Sequence, residues 1–231
     1  MKWFLLSLIS IFLIGCGSDM DDDEEIDALL EEAIDMSKIQ TRGEGDQELI
    51  YAPNKQAPYT GWVKGLHPNG QVEELWEVED GKLDGKFFWW HKNGKKQLES
   101  EYKDGKLHGE QTSWYENGQK SAEIEYKDGK IHGNVTRWYE NGQKRAEGEL
   151  DGKENGNGTT WYENGQKSAE VEFKNGKQFT SKVWLPNGTD CRDTNLQDGN
   201  GIVVVYDDDG EEVSRTVYKD GNEVPVIEVS D

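Results

Sequence analysis

One heptapeptide, Trp-Tyr-Glu-Asn-Gly-Gln-Lys, occurs three times, starting at Trp114, Trp138 and Trp161. A chain written on such a period has to fold as an array of small like units. Looser copies are Leu66-His67-Pro68-Asn69-Gly70, Trp90-His91-Lys92-Asn93-Gly94, Trp184-Leu185-Pro186-Asn187-Gly188 and Tyr206-Asp207-Asp208-Asp209-Gly210. The aligned glycines, at 70, 94, 118, 142, 165, 188 and 210, lie 24, 24, 24, 23, 23 and 22 residues apart, so seven units are predicted. A second mark falls between them: Tyr102-Lys103-Asp104-Gly105-Lys106, Tyr126-Lys127-Asp128-Gly129-Lys130 and Phe173-Lys174-Asn175-Gly176-Lys177. A third is a glycine nine residues before the Asn-Gly glycine, at 61, 85, 109, 133, 156 and 201. The sixth unit, Thr180 to Leu196, lacks it and is the degenerate one.

Asn-Gly and Asp-Gly between short β-prone runs are strong hairpin signals, because these residues tolerate φ > 0. Each unit therefore reads as two short antiparallel strands, and the next unit continues the meander. Composition agrees. Apolar residues are only 33% of the chain, Gly numbers 27, and there are nine Trp, nine Tyr and six Phe. That suits a thin, turn-rich sheet better than a thick core, and the aromatics speak against disorder. A three-residue loop at Glu116-Asn117-Gly118 pairs Tyr115 with Gln119 and Trp114 with Lys120. It then sets Thr112 opposite Ala122 and Glu110 opposite Ile124. Trp114, Ala122, Ile124 and Tyr126 share a face in that register, and Trp90, Trp114, Trp138, Trp161 and Trp184 form a structural column along the array. The other face carries Glu99, Glu101, Glu123 and Glu125, together with Phe87, Trp89, His91, Tyr115, Tyr139 and Tyr162. The last four are candidates for partner contact.

The N-terminus reads as an address. Trp3 to Gly15 is an apolar run of 13 residues, too short to span a bilayer and suited to a signal-peptide core. It closes on Leu13-Ile14-Gly15-Cys16, which resembles the bacterial lipoprotein lipobox. That resemblance implies cleavage before Cys16, acylation of Cys16 and an envelope location; Gly17 lacks the Asp signal for inner-membrane retention, which points to the outer membrane. Two or more acyl chains anchor stably. An acidic stretch follows, and Ile26 to Met36 has the spacing of a short amphipathic helix. The predicted organisation is a signal peptide at 1–15, an acidic tether with a short helix at 16–50, the array at 51–222 and a tail at 223–231.

The Tyr-Glu-Asn-Gly-Gln-Lys block, the Tyr-Lys-Asp-Gly-Lys block and the opening glycine resemble the MORN repeat, in its bacterial YwqK-type variant, over about residues 59–222. The resemblance implies an all-β fold, an elongated single-layer antiparallel meander of about seven hairpins. It also implies binding or scaffolding rather than catalysis. An antitoxin-like role attaches to some bacterial variants and fits poorly with a lipidated envelope protein.

Little chemistry is written in the chain. Lys plus Arg number 26 against 47 Asp plus Glu, a net charge of −21, which excludes nucleic acid as the default partner. His67, His91, His108 and His132 are spread one per repeat position. Equivalent residues in adjacent repeats lie roughly 9–10 Å apart, too far to share one metal ion. Asp207 to Glu212 is similar to a calcium loop, but Val205 stands where an acid is needed, and the segment aligns with the Asn-Gly turns. Cys191 is a lone thiol in the degenerate unit. No catalytic, cofactor or metal residues are predicted. The reading is a lipid-anchored, non-catalytic scaffold for a protein partner. The alternative is a module that binds an envelope glycan through its aromatic column.

Overall fold

The computed structural model describes residues 22–151 and 155–224; the signal segment and Cys16 lie outside them. The elements in chain order are α1 (Asp22–Glu32), β1 (Ile34–Asp35), a 3-10 turn (Met36–Lys38), β2 (Gln40–Arg42), a second 3-10 turn (Gly45–Gln47), β3 (Leu49–Tyr51), β4 (Gly61–Leu66), β5 (Val72–Glu79), β6 (Lys82–Trp90), β7 (Lys96–Lys103), β8 (Lys106–Leu107), β9 (Gly109–Trp114) and β10 (Lys120–Lys127). They continue as β11 (Lys130–Trp138), β12 (Lys144–Asp151), β13 (Asn155–Trp161), β14 (Lys167–Lys174), β15 (Lys177–Val183), β16 (Gly201–Tyr206), β17 (Glu212–Lys219) and β18 (Asn222–Val224). β4 to β15 form one long antiparallel meander. β1 joins its first edge in parallel and β8 pairs beside β7. β16 to β18 make a separate three-stranded sheet, and β2 with β3 a hairpin. The expected all-β array of hairpins is the observed architecture.

Two turn types alternate along it. At the Asn-Gly turns the Tyr115 N–H donates to the Gln119 carbonyl (2.9 Å) and the Gly118 N–H to the Tyr115 carbonyl (2.8 Å). Gly118 sits at φ 92°, a conformation that costs other L-residues energy. At the Asp-Gly turns both residues have positive φ, 52° at Asp128 and 78° at Gly129, which matches the strand twist as type I′ turns do.

The face assignment is corrected by the register. Trp114 does pair with Lys120, but the next pair is Ser113 with Ala122, so Ser121 is bulged out. Thr112 then opposes Glu123, Glu110 opposes Glu125, and Gln111 opposes Ile124. The same slip occurs at Leu66, Trp90, Trp138 and Trp161. A slip of one residue exchanges the faces beyond it. Trp114 thus shares a face with Thr112, Glu123 and Glu125, here called the tryptophan face. Tyr115 shares the tyrosine face with Ser113, Ala122 and Ile124, as Phe87 does with Trp76 and Ser100. The column Trp90, Trp114, Trp138, Trp161 and Trp184 is half-buried rather than core. Full burial goes to Val63, Leu75 and Val78.

Both ends of the sheet are covered, on opposite faces, so the array is single-layered only in the middle. Ile26 and Ala33 pack with Leu75 and Phe88 on the tryptophan face. The helix expected at Ile26–Met36 ends at Glu32. Extended Asp35 accepts the Ser37 N–H (2.8 Å) and starts a 3-10 turn instead. At the other end the degenerate unit ends the long ladder. Cys191, Leu196, Val203 and Val204 cluster with Val183, and Ala169 and Tyr206 pack against them.

Candidate binding surfaces

The edge bearing the Asn-Gly turns is stitched by side chains from each repeat to the next. The hydroxyls of Tyr115, Tyr139 and Tyr162 donate to the carbonyls of Trp138, Trp161 and Trp184, each at 2.7 Å. The amides of Asn93, Asn117 and Asn141 donate to the carbonyls of Glu116, Glu140 and Glu163, each at 3.0 Å. Where a histidine replaces the tyrosine, it does the same. Nε2 of His67 lies 3.1 Å from the Trp90 carbonyl and Nε2 of His91 lies 3.0 Å from that of Trp114. The expectation that His91, Tyr115, Tyr139 and Tyr162 stand free on a charged face is therefore corrected. Tyr162 is 4% exposed, the other three are half-buried, and their polar atoms satisfy backbone carbonyls. Burial raises the pKa of Tyr139 and Tyr162 above the ordinary phenol value.

The tryptophan face carries the charge. Glu99, Glu123, Glu147 and Glu170 recur along one row, each paired with the lysine three residues earlier, Lys96, Lys120, Lys144 and Lys167. Three of those lysines also reach aromatic rings. Lys96 lies 5.6 Å from the Trp114 ring centroid, Lys144 5.8 Å from that of Trp161 and Lys167 5.9 Å from that of Trp184. Pairs this exposed contribute little stability. In a second row Glu110 stands beside Glu125 with no lysine paired to either among the described residues, while Glu172 farther along pairs with Lys174 at 3.2 Å. The opening glycines belong to this row. Gly133 sits at φ 101° with the Glu125 carboxylate where its Cβ would be, and that carboxylate accepts the Asn134 N–H at 3.3 Å.

The tyrosine face is almost free of acids. Near its C-terminal end the turn at Asp207 to Gly210 folds back, and Asp208 Oδ1 accepts the Glu163 N–H (2.9 Å). Asp207 Oδ1 accepts the Asp209 and Glu211 N–H groups (3.1 and 2.9 Å), so the segment is built as a turn. Between this turn and the sheet lies a cavity of about 430 Å³, bordered by Arg137, Tyr139, Arg145, Ala146, Ala169 and Asp208 among others. Sequence reasoning did not single out these arginines. The available signal was their departure from the repeat: neighbouring units carry Ser113 and Thr160, and Ser121 and Ser168, at the same positions. Cys191 is buried with Sγ 3.6 Å from the Tyr206 hydroxyl. Burial works to raise its pKa, but hydrogen bonds with Tyr206 and Thr194 outweigh that and lower it; the Tyr206 phenol is pushed up to about 12 by the same contact and by burial. Among the described residues no three His, Cys, Asp or Glu gather as a metal site.

This geometry, a hairpin per 22–24 residues with paired turn types, has a counterpart among known families. Residues 83–104, 107–128, 131–151 and 154–175 match the MORN repeat variant. Those four segments together make up less than half of the chain. They contain Trp90, Trp114, Trp138 and Trp161, the four stitching residues that follow them, His91, Tyr115, Tyr139 and Tyr162, and both arginines of the cavity. No curated protein matches the chain.

Proposed function

We propose that this protein is a lipid-anchored, non-catalytic scaffold of the bacterial envelope, held at the outer membrane through Cys16, and that its tryptophan face binds a protein partner with a basic surface. The observation that carries the reading is the uncovered middle of that face. From Glu99 to Glu170 the same Lys–Glu pair repeats with each unit, beside a second row of carboxylates at Glu110 and Glu125. Repeat arrays use such extended surfaces for binding, and the carboxylates of Glu110 and Glu125 beside the Lys–Glu pairs attract an oppositely charged partner. MORN repeats are in general binding modules, which supports the non-catalytic reading. No helix among the described residues is long and apolar enough to cross a membrane, and the proposed attachment needs none.

Two experiments test the two halves. Cys16→Ala should move the protein from the membrane fraction to the soluble fraction; unchanged fractionation sinks the anchor. A photocrosslinker placed at the exposed Lys120, which pairs with Trp114 on this face, should capture a partner in intact cells, and the triple change Glu110→Gln, Glu123→Gln, Glu125→Gln should abolish that capture. Capture from Ser113 instead would move the working surface to the tyrosine face.

A further inference from the structure

In a periodic fold, a residue that breaks the period has a reason local to its own unit. Four such breaks meet on the tyrosine face. Arg137 stands where the adjoining repeats have Ser113 and Thr160, and Arg145 where they have Ser121 and Ser168. Gly148 replaces Ile124 and Val171 of the same column, and Gly158 replaces Gln111 and Val135. Gly148 also admits the Asn157 carbonyl, which a Cβ would approach to 2.6 Å. The register puts Arg137 opposite Ala146, and Gly148 opposite both Val135 and Gly158.

The result is two adjoining hollows. One is the cavity of about 430 Å³ under the Asp207–Asp208 turn. The other, about 240 Å³, is floored by Gly148 and Gly158 and walled by Phe173. Arg137, Ala146 and Thr160 border both. Among the described residues neither arginine has an ion-pair partner; Arg145 lies 5.7 Å from the Tyr139 ring centroid. By contrast Arg215 is held by Asp193 and Glu212. Two exposed guanidiniums that form no ion pair among the described residues, in a chain of net charge −21, border a space with an apolar floor, an aromatic wall and a rim formed by Asp207 and Asp208.

We infer that this paired hollow binds an acidic saccharide of about two uronate residues, whose carboxylate is held by Arg137 and Arg145. Guanidinium forks match carboxylates in geometry as well as charge. Ala146, Ala169 and Phe173 suit the apolar faces of sugar rings. Asp208, with one oxygen committed to Glu163, offers the other to a ring hydroxyl. An acidic peptide fits worse, since it has no flat ring face to lay against Ala146, Ala169 and Phe173. The inference does not depend on the scaffold reading, which concerns the opposite face.

The test is calorimetric titration of the full chain in detergent with digalacturonate, with its neutral dimethyl ester and with the dipeptide Glu-Glu. Digalacturonate should bind saturably and the other two at least about tenfold more weakly, the discrimination expected of a charge-assisted contact. Arg137→Ser and Arg145→Ser copy the neighbouring repeats and should leave the circular dichroism melt unchanged. Each should weaken digalacturonate binding by about tenfold or more. Equal binding of the ester, tighter binding of Glu-Glu, no binding of digalacturonate at millimolar concentration, or variants that bind like the parent would each overturn the proposal.

Discussion

Tyr162 concentrates what a single residue does in this array. Its ring is buried on the tyrosine face and its hydroxyl donates to the Trp184 carbonyl at 2.7 Å. Truncation to Ala should cost roughly 3–5 kcal/mol, as for large buried aromatics. Trp114→Ala, at a half-buried ring, should cost clearly less; urea midpoints compare the two. Tyr139→Phe removes only the donor to Trp161 and should cost about 1 kcal/mol. The same phenols set an alkaline limit. Burial raises the folded pKa of Tyr139 and Tyr162 above the value of 10.0 for a free phenol. The native state therefore keeps these protons longer than the unfolded chain does. Their contribution is complete below pH 10 and is lost as pH rises through the higher folded values. Urea midpoints should fall above pH 10, and the double change Tyr139→Phe, Tyr162→Phe should flatten that fall.

At the scale of elements, α1 is the piece whose role is easiest to isolate. Ile26 within it and Ala33 directly after it are the buried contacts with Leu75 and Phe88. Ile26→Ala should destabilise by about 2–3 kcal/mol, and an unchanged urea midpoint would mean that the helix is not docked. The strands and turns were legible in the sequence, because Asn-Gly and Asp-Gly dictate local backbone conformations that survive in any context. The faces were not. Burial favoured putting Trp114 with Ala122 and Ile124, but one bulged residue, Ser121, reverses the choice. A bulge leaves no mark in hydrophobic alternation, since both registers place some aromatic on each face. The tyrosines could not be read as stitches either. Their partners are main-chain carbonyls 22 or 23 residues on, and every residue has a carbonyl. The arginines of the cavity were visible only as breaks in a pattern, which say where to look and nothing about chemistry.

At the scale of the whole molecule the repeat is the unit of tolerance. Removing residues 107–130 joins Lys106 to Ile131, and both flanks keep the local sequence Asp-Gly-Lys followed by an apolar residue and His. The shortened chain should give the same β-type circular dichroism and a single melt, because every stitch finds an equivalent carbonyl. Removing only residues 107–118 should give an unfolded or aggregated product. Half a repeat brings the wrong turn type to each edge and sets the tyrosine face of one strand beside the tryptophan face of the next. If both deletions fold equally well, the repeat is not the folding unit.

The stitching also determines how the molecule would answer a pull. In a meander the interstrand hydrogen bonds point along the array, so tension between its ends falls on one strand pair after another rather than on all at once. Each repeat adds one hydroxyl and one amide bond to its successor, and these resist only while that successor is still in place. An array fixed to a membrane at its head and held by a partner farther along would therefore give way in steps. Each step would release about 80 Å of extended chain for a repeat of 23–24 residues. Such a protein would act as a tether that lengthens under tension while the repeats nearest the membrane stay folded.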